Sequence, residues 1–130
     1  MMIGERGREE LRGRALSFRY AFEGWWYALR TQRNTWIHAA VSIVVFALAF
    51  WLGISRLEWS VLILTTLLVW MAEFANTALE AVVDLVSPDY HPLAKAAKDV
   101  AAAAVLVGAL GAVVVGLLIL GPPLWVRLFG

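Results

Sequence analysis

Three long, largely apolar segments dominate the chain, and an amphipathic segment precedes them. They cover residues 35–54, 59–86 and 92–121. A helix needs about 20 residues to cross the hydrocarbon core of a bilayer, so each segment is long enough to span it. Gly53 follows the first apolar stretch, and Gly121-Pro122-Pro123 should stop the last helix, because proline lacks the N–H that continues it. The pattern predicts an all-α protein with three membrane helices.

Residues 11–33 predict a helix that lies in the membrane interface. Apolar side chains recur every three or four residues, which places them on one side of a helix. They are Leu11, Ala15, Phe18, Phe22, Trp25 and Leu29. The rings of Trp26 and Tyr27 also suit the headgroup layer, where one edge of an amphipathic ring stays wet. Such a helix serves either as a surface anchor or as part of the cover of a site.

A polar stripe runs along the second half of the second membrane helix. At 100° per residue, Glu73, Glu80 and Asp84 lie within about 40° of one another, with Asn76 about 60° to one side. A charge near the bilayer centre costs at least about 2.5–3.5 kcal/mol, so the stripe must face protein, water, cations or a partner. In phosphoryl transfer, one carboxylate accepts a hydroxyl proton while another holds a divalent metal. A cation pathway would use the same stripe equally well.

The composition supports the membrane assignment. Hydrophobic residues make up 62% of the chain and charged residues 16%, against about 45–50% and about 25% in soluble domains. The absence of cysteine excludes a disulfide framework and thiolate metal sites. A net charge of +1, with the basic residues mostly in one tail, gives no argument for nucleic acid. We expect residues 1–130 to form one membrane-embedded domain.

Arginines and lysines are distributed unevenly between the two ends of the predicted spans. Seven arginines precede the first span, and segment 87–99 adds Lys95 and Lys98. The opposite side carries only Arg56 and Arg127. Nine basic residues against two predict that the N-terminus and segment 87–99 are cytoplasmic, in a multi-pass protein of the cell membrane. The polar end of the second helix would then face the compartment that holds ATP.

Several other chemistries find little support in the sequence. Nucleophilic catalysis lacks a cysteine, and the two histidines, His38 and His91, lie in separate segments. A pair of histidines at metal-ligand spacing is absent, as are the Walker phosphate loop and the Gly-x-Gly-x-x-Gly motif. The polar stripe therefore remains the main candidate site.

The third membrane helix begins with charged residues and continues with small ones. Lys95, Lys98 and Asp99 follow Pro92, which suits the first turn of a helix. A lysine near the acidic stripe could hold triphosphate oxygens, and anchoring at the cytoplasmic surface explains it equally well. Further along, a ridge of small residues at four-residue steps predicts close helix packing, within one chain or between copies. The ridge consists of Ala104, Gly108, Ala112 and Gly116.

Two strings in the sequence carry a family resemblance. They are E-F-A-N-T-A-L-E-A-V-V-D from Glu73 to Asp84 and H-P-L-A-K-A-A-K-D from His91 to Asp99. Together they resemble the bacterial integral-membrane lipid kinases, which include diacylglycerol kinase and undecaprenol kinase. The resemblance covers about residues 13–120, and Gln32-Arg33-Asn34-x-x-x-His38 is similar to the undecaprenol kinase branch. It implies a homotrimer with a surface helix, ATP as co-substrate, Mg²⁺, and a lipid alcohol as acceptor.

The resemblance also implies roles for particular residues. Glu73 matches the general base that takes the proton from the lipid hydroxyl, and Asn76 matches a polar residue that supports it. Glu80 matches a carboxylate on the metal of Mg–ATP, and Lys98 matches a lysine on the phosphates. The other matched positions are nucleotide contacts: Tyr20, Asp89, Tyr90, His91 and Asp99.

One position departs from the family pattern. Many members have a glutamate, a second metal contact, where this chain has Gln32. An amide oxygen is a weaker ligand for a hard cation than a carboxylate. Metal binding then depends more on Glu80 and the phosphates, with Gln32 as a neutral ligand, or a nearby group such as Glu23 substitutes. The number of metal ions stays open.

Three functions are compatible with these observations. The sequence favours a kinase acting on undecaprenol, with a kinase acting on diacylglycerol as the alternative. A non-catalytic trimer whose carboxylate stripe binds or passes cations is the third. The pair Lys98-Asp99 next to the stripe favours a kinase, because a cation pathway gains little from a fixed ammonium.

Overall fold

The computed structural model describes the backbone of residues 2–130 and the side chains of residues 13–130. This part of the chain is helical, as predicted, with short connections. Its helices are α1 (Met2–Thr31), α2 (Arg33–Leu52), α3 (Arg56–Val86) and α4 (Pro92–Phe129). The chain divides into two units, Met1–Arg33 and Asn34–Gly130. The first unit contains α1, and the second contains almost all of α2 together with α3 and α4.

Helix α1 confirms the predicted N-terminal helix but begins earlier. It starts at Met2 rather than at residue 11 and ends at Thr31. The side chain of Leu11, the first in the predicted apolar stripe, lies outside the described side chains. Within α1, Arg19 pairs with Glu23 at 2.7 Å, and the Arg30 guanidinium lies over the Trp26 ring at 5.2 Å.

The connection between α2 and α3 is a tight turn followed by a helix cap. Gly53 has a φ of +68°, a left-handed conformation in which a residue with a Cβ is strained. The hydroxyl of Ser55 then accepts from the Glu58 N–H at 3.3 Å, and the Glu58 carboxylate accepts from the Ser55 N–H at 2.7 Å. This reciprocal capping box satisfies N–H groups that would otherwise lack partners at the start of α3.

The ends of α2 and α3 next to this turn pack through apolar side chains. Ala49 of α2, Leu62 of α3 and Leu120 of α4 form a buried cluster. The rings of Phe46 and Trp59 lie against it, with their centroids 5.9 Å apart. This end of the α2–α4 unit is therefore a small apolar core, and the polar residues of α3 lie toward the opposite end.

Helices α3 and α4 are in contact at a glycine of the predicted small-residue ridge. A Cβ built on Gly108 would lie 3.8 Å from Val69 Cγ2 and 3.9 Å from Val69 Cα. Gly116, two steps further along the ridge, has nothing within 4 Å of such a Cβ. The ridge therefore supports helix packing within this chain at Gly108, and not at Gly116.

Helix α4 begins as the sequence predicts and ends later. Pro92 occupies its first turn after His91, whose Nδ1 accepts from the Leu93 N–H at 3.2 Å. The prediction that Gly121-Pro122-Pro123 stops the helix is wrong, since α4 continues to Phe129.

The continuation of α4 has a local explanation. Each proline removes one backbone hydrogen bond, but its fixed φ of about −65° already matches a helix. The segment beyond the prolines is held by a side-chain contact, because the Arg127 guanidinium lies over the Trp51 ring of α2 at 5.1 Å.

The surfaces of α2, α3 and α4 are unusually apolar. All three helices are long and apolar enough to cross a membrane, and large hydrophobic side chains such as Phe50 and Leu85 are more than 80% exposed. Exposed apolar surface on this scale requires lipid or protein around it. The three candidate spans and this exposed apolar surface are those of a multi-pass membrane protein.

Candidate functional site: the polar stripe of α3

The carboxylate of Glu73 is a buried charged group of the α2–α4 unit. Its side chain is only 2% exposed although it lies inside a predicted membrane span. Thr35 of α2, itself fully buried, donates from its hydroxyl to Glu73 Oε1 at 3.3 Å. The other oxygen, Oε2, lies 3.7 Å from His38 Nε2 and has no hydrogen-bond partner. The carboxylate is therefore buried with one oxygen hydrogen-bonded and the other without a hydrogen bond.

Polar side chains of α2 and α3 also contact each other one turn before Glu73 along α3, and we call this row of polar contacts the seam. Thr35, His38 and Ser42 lie on one face of α2, at spacings of three and four residues. Trp70 donates from its indole Nε1 to the Ser42 hydroxyl at 3.3 Å, one turn before Glu73 on α3. The polar side chains of α2 therefore meet the polar side chains of α3 in register.

Asn76 lies on α3 between the buried Glu73 and the more exposed end of the stripe. Its Nδ2 donates to Glu80 Oε1 at 3.2 Å, which orients the Glu80 carboxylate. Its other amide atom, Oδ1, is buried and has no hydrogen-bond partner. The structure therefore links Asn76 with Glu80 directly, while Glu73 lies about one turn from Asn76 and about two turns from Glu80 on the same helix.

Asn76 also lines a groove between α3 and α4. It has a volume of about 480 Å³ and a lining that is almost entirely apolar, mostly alanine methyl groups. Asn76 is the polar side chain among the residues that line it. An unpaired amide oxygen in an apolar groove provides one point at which a ligand hydroxyl could bond.

Charged residues join α3 and α4 at the end of the stripe. Lys98 Nζ pairs with Asp84 Oδ1, and Lys95 pairs with Asp99 within α4. The Lys98 side chain is 37% exposed and the Asp84 side chain 66%. Lys98, expected from the resemblance to contact phosphates, therefore has a competing carboxylate beside it.

The connection between α3 and α4 carries the expected nucleotide contacts Asp89, Tyr90 and His91. Tyr90 is 79% exposed, and the backbone oxygen of Asp89 accepts from the Ser87 hydroxyl at 3.1 Å. The Nδ1 of His91 is engaged in capping α4. These side chains lie at the same end of the unit as Lys98, with their polar atoms near the surface.

Tyr20 and Gln32 belong to the N-terminal unit. Tyr20 is 62% exposed on α1, and Gln32 is the residue between α1 and α2, where its N–H donates to the Ala28 oxygen at 3.0 Å. Glu23, considered as a substitute metal ligand, is engaged by Arg19. Within the described residues, no group of three or more His, Cys, Asp and Glu side chains could hold a metal ion.

No role was predicted from the sequence for Thr35 or His38, the two residues that contact the Glu73 carboxylate. Their positions in the sequence do contain a pattern that could have identified them. Both are polar residues near the start of an apolar helix, and their spacing of three residues puts them on the same face. Only the pairing of α2 with α3, which the sequence does not reveal, shows that this face meets Glu73.

Comparisons with known proteins place the chain in a family. The family model described as prokaryotic diacylglycerol kinase matches residues 19–120. A diacylglycerol kinase of Synechocystis sp. is 51% identical over 110 residues, 84% of this chain and 63% of that relative, so the chain spans less than two thirds of its length. An undecaprenol kinase of Bacillus subtilis is 43% identical over 117 residues, covering 90% of this chain and 95% of the relative.

A third relative has a lower identity. It is a diacylglycerol kinase of Escherichia coli, 34% identical over 95 residues, which cover 68% of this chain and 78% of the relative. These matches bear out the resemblance and decide against the non-catalytic cation-binding trimer. With its buried carboxylate, its oriented polar stripe and these matches, the chain belongs to the prokaryotic diacylglycerol kinase family of membrane lipid kinases.

Proposed function

We propose that this chain transfers the γ-phosphoryl group of ATP to the hydroxyl of a membrane lipid alcohol, with undecaprenol as the main acceptor. The observation that carries the proposal is the Glu73 carboxylate, which is 2% exposed and has one oxygen without a hydrogen bond. An acceptor dissolved in the membrane needs a base at membrane depth, whereas the nucleotide needs polar contacts at the surface. The stripe from Glu73 to Asp84 extends between these two places.

In the proposed reaction, the lipid oxygen attacks the γ-phosphorus of ATP in line. The hydroxyl proton passes to the carboxylate of Glu73, the new bond joins the lipid oxygen to phosphorus, and the bond to the bridging oxygen breaks. ADP leaves with that oxygen, and Glu73 later releases the proton to water. General bases of this kind contribute about 10²- to 10⁴-fold to rates.

Asn76 would help to dock the lipid. Asn76 lines the alanine-rich groove between α3 and α4, and its buried Oδ1 has no hydrogen-bond partner. An alkyl or isoprenoid chain lying in this groove would contact methyl groups, and the hydroxyl would find an acceptor near its end. Glu73, three residues earlier on the same helix, would then take the proton.

The donor chemistry of the stripe fits Mg²⁺. Mg²⁺ prefers oxygen ligands and is commonly held by one or two carboxylates together with substrate phosphates, rather than by an all-protein cage. Glu80 would hold the ion, with Gln32 as a neutral oxygen ligand. The hydrogen bond from Asn76 to Glu80 is compatible with this, because a carboxylate has about four acceptor sites. When bound, the ion would neutralise developing charge on the phosphates.

The nucleotide would bind at the end of the unit that carries Lys98. Lys98 would contact the phosphates, where a fixed positive charge stabilises the transferring group. The remaining nucleotide contacts would come from Tyr20, Asp89, Tyr90, His91 and Asp99. The excess of arginine and lysine in residues 1–34 and 87–99 over the opposite side of the predicted spans supports a cytoplasmic location.

A homotrimer is proposed on the family resemblance. Large apolar side chains cover α2, α3 and α4 in the single chain, which leaves ample surface for lipid and for other copies. Chemical cross-linking in detergent micelles, read by mass, tests this directly, and trimers should be the largest major species.

The choice of undecaprenol rests on a string of residues and on a relative. The Bacillus subtilis relative is named an undecaprenol kinase and matches over 95% of its length. The string Gln32-Arg33-Asn34-x-x-x-His38 is similar to that branch, and His38 lies against Glu73. Diacylglycerol is the second candidate, because the Synechocystis relative is named a diacylglycerol kinase and is 51% identical.

One assay tests the reaction and the acceptor together. Purified protein in mixed micelles receives radiolabelled ATP and magnesium with undecaprenol, with diacylglycerol, or with both in competition. We expect label in undecaprenol, with a higher kcat/KM than for diacylglycerol, and no turnover by Glu73→Gln. Preferential labelling of diacylglycerol would overturn the acceptor assignment alone. Turnover retained in Glu73→Gln would overturn the assignment of the base.

A further inference from the structure

The carboxylate of Glu73 is held differently at its two oxygens. Oε1 accepts a hydrogen bond from the Thr35 hydroxyl at 3.3 Å, while Oε2 faces His38 Nε2 at 3.7 Å without a hydrogen bond. Both partners come from α2, from residues one turn apart. The side chains of Glu73 and His38 are 2% and 18% exposed, so water has little access to this contact.

A glutamate carboxylate that lacks such partners is free to rotate. The terminal torsion of glutamate joins an sp³ to an sp² carbon and has a broad energy profile, so packing alone does not fix the carboxylate plane. The Thr35 hydroxyl bonded to Oε1 and the His38 ring beside Oε2 restrict that rotation.

We propose that Thr35 and His38 are positioning residues for Glu73. The Thr35 hydroxyl holds Oε1 in place by a hydrogen bond, and His38 Nε2, 3.7 Å from Oε2, is the polar neighbour that keeps this unbonded oxygen directed toward the acceptor hydroxyl. This inference rests on the proposed function, since it assigns the two side chains a task only if Glu73 is the base. They act through Glu73 and touch neither lipid nor nucleotide.

Ser42 provides a control for the loss of a polar contact between α2 and α3. Ser42 lies on the same face of α2 and accepts a hydrogen bond from Trp70 Nε1 at 3.3 Å, one turn away from Glu73. Removing its hydroxyl with Ser42→Ala breaks a polar contact between the same two helices without touching the carboxylate. A loss shared by Ser42→Ala would reflect general damage to helix packing.

Conservative and non-conservative variants separate positioning from packing. Thr35→Val removes the hydroxyl at nearly constant volume, and Thr35→Ser keeps it. His38→Leu removes the polar ring nitrogens beside Oε2, and His38→Gln places a polar amide at about the reach of Nε2. Small displacements of a reacting group can cost about 100-fold in rate. We therefore expect kcat to fall about 10- to 100-fold in Thr35→Val and in His38→Leu.

The expected pattern is specific. In Thr35→Val and His38→Leu, kcat falls while KM for ATP and for the lipid stays within about twofold. Thr35→Ser and His38→Gln recover most of kcat, and Ser42→Ala retains it.

Other outcomes overturn the inference. Wild-type kcat in both Thr35→Val and His38→Leu, with Glu73→Gln inactive, would refute the positioning role and leave the base assignment intact. An active Glu73→Gln would instead refute the base assignment, and the positioning role with it. Failure of Thr35→Ser and His38→Gln to recover activity, in protein that unfolds at the wild-type temperature, would also refute the inference.

Discussion

The ion pair between Lys98 and Asp84 gives a quantitative prediction about nucleotide binding. If Lys98 contacts the phosphates of ATP, Asp84 competes for the same ammonium in the free protein. The two side chains are 37% and 66% exposed, so solvent screens their attraction. Exposed pairs of this kind contribute about 0.2–1 kcal/mol. Releasing Lys98 with Asp84→Asn should therefore lower KM for ATP by about 1.4- to 5-fold.

Removing Lys98 itself should have the opposite and larger effect. A hydrogen bond to a charged group contributes about 1.5–3 kcal/mol, which corresponds to about 10- to 150-fold in affinity. We therefore expect Lys98→Met to raise KM for ATP by about that factor, whereas Lys98→Arg should be affected less because the charge is kept. KM for the lipid should stay unchanged in all of these variants.

The assay is ATP titration at saturating lipid in mixed micelles, at one fixed ionic strength because salt screens exposed pairs. Asp84→Glu, which keeps the carboxylate, serves as the matched control and should resemble the wild type. A rise in KM for ATP in Asp84→Asn comparable to that in Lys98→Met would refute the reasoning. It would mean that Asp84 orients Lys98 for the nucleotide instead of competing with it.

Three further variants test packing, capping and the lipid groove. Gly108→Leu should destabilise the protein by about 1–3 kcal/mol through overpacking, measured by thermal unfolding in micelles. Gly116→Leu should be tolerated. Equal loss of stability in the two variants would contradict the contact between α3 and α4 at Gly108. Ser55→Ala should cost about 0.5–2 kcal/mol of stability with kcat unchanged, and an unchanged unfolding temperature would argue against the cap. Ala101→Leu should raise KM for the lipid about tenfold by filling the groove. Ala103→Leu, which does not line the groove, should not; if it does, the groove is not the lipid site.

Much of the fold follows from the sequence because membrane helices have a strong signal. Length and apolarity are sufficient to identify the three spans, and the helical angle places Glu73, Glu80 and Asn76 together on α3. The end of α4 could not be predicted in this way. Proline removes a hydrogen bond, but whether a helix continues past it depends on contacts such as that of Arg127 with Trp51.

The partners of the stripe were less predictable than the stripe itself. A helical pattern tells which residues share a face, but not which helix that face meets. Thr35 and His38 could be recognised as polar residues on α2, and only tertiary packing pairs them with Glu73. The roles of Glu80 and Gln32 in metal binding remain proposals that rest on the resemblance and on donor chemistry.

The short connection between α2 and α3 has a consequence for biogenesis. The α2 segment is synthesised first, so Thr35 and His38 already exist when the ribosome delivers Glu73. An isolated carboxylate entering the bilayer would cost roughly 2.5–3.5 kcal/mol on translocon-insertion scales. If α2 and α3 enter as a helical hairpin, closed by the turn at Gly53, the carboxylate arrives with its hydrogen-bond donor beside it. The contacts that prepare Glu73 for proton transfer would thus also ease its passage into the membrane.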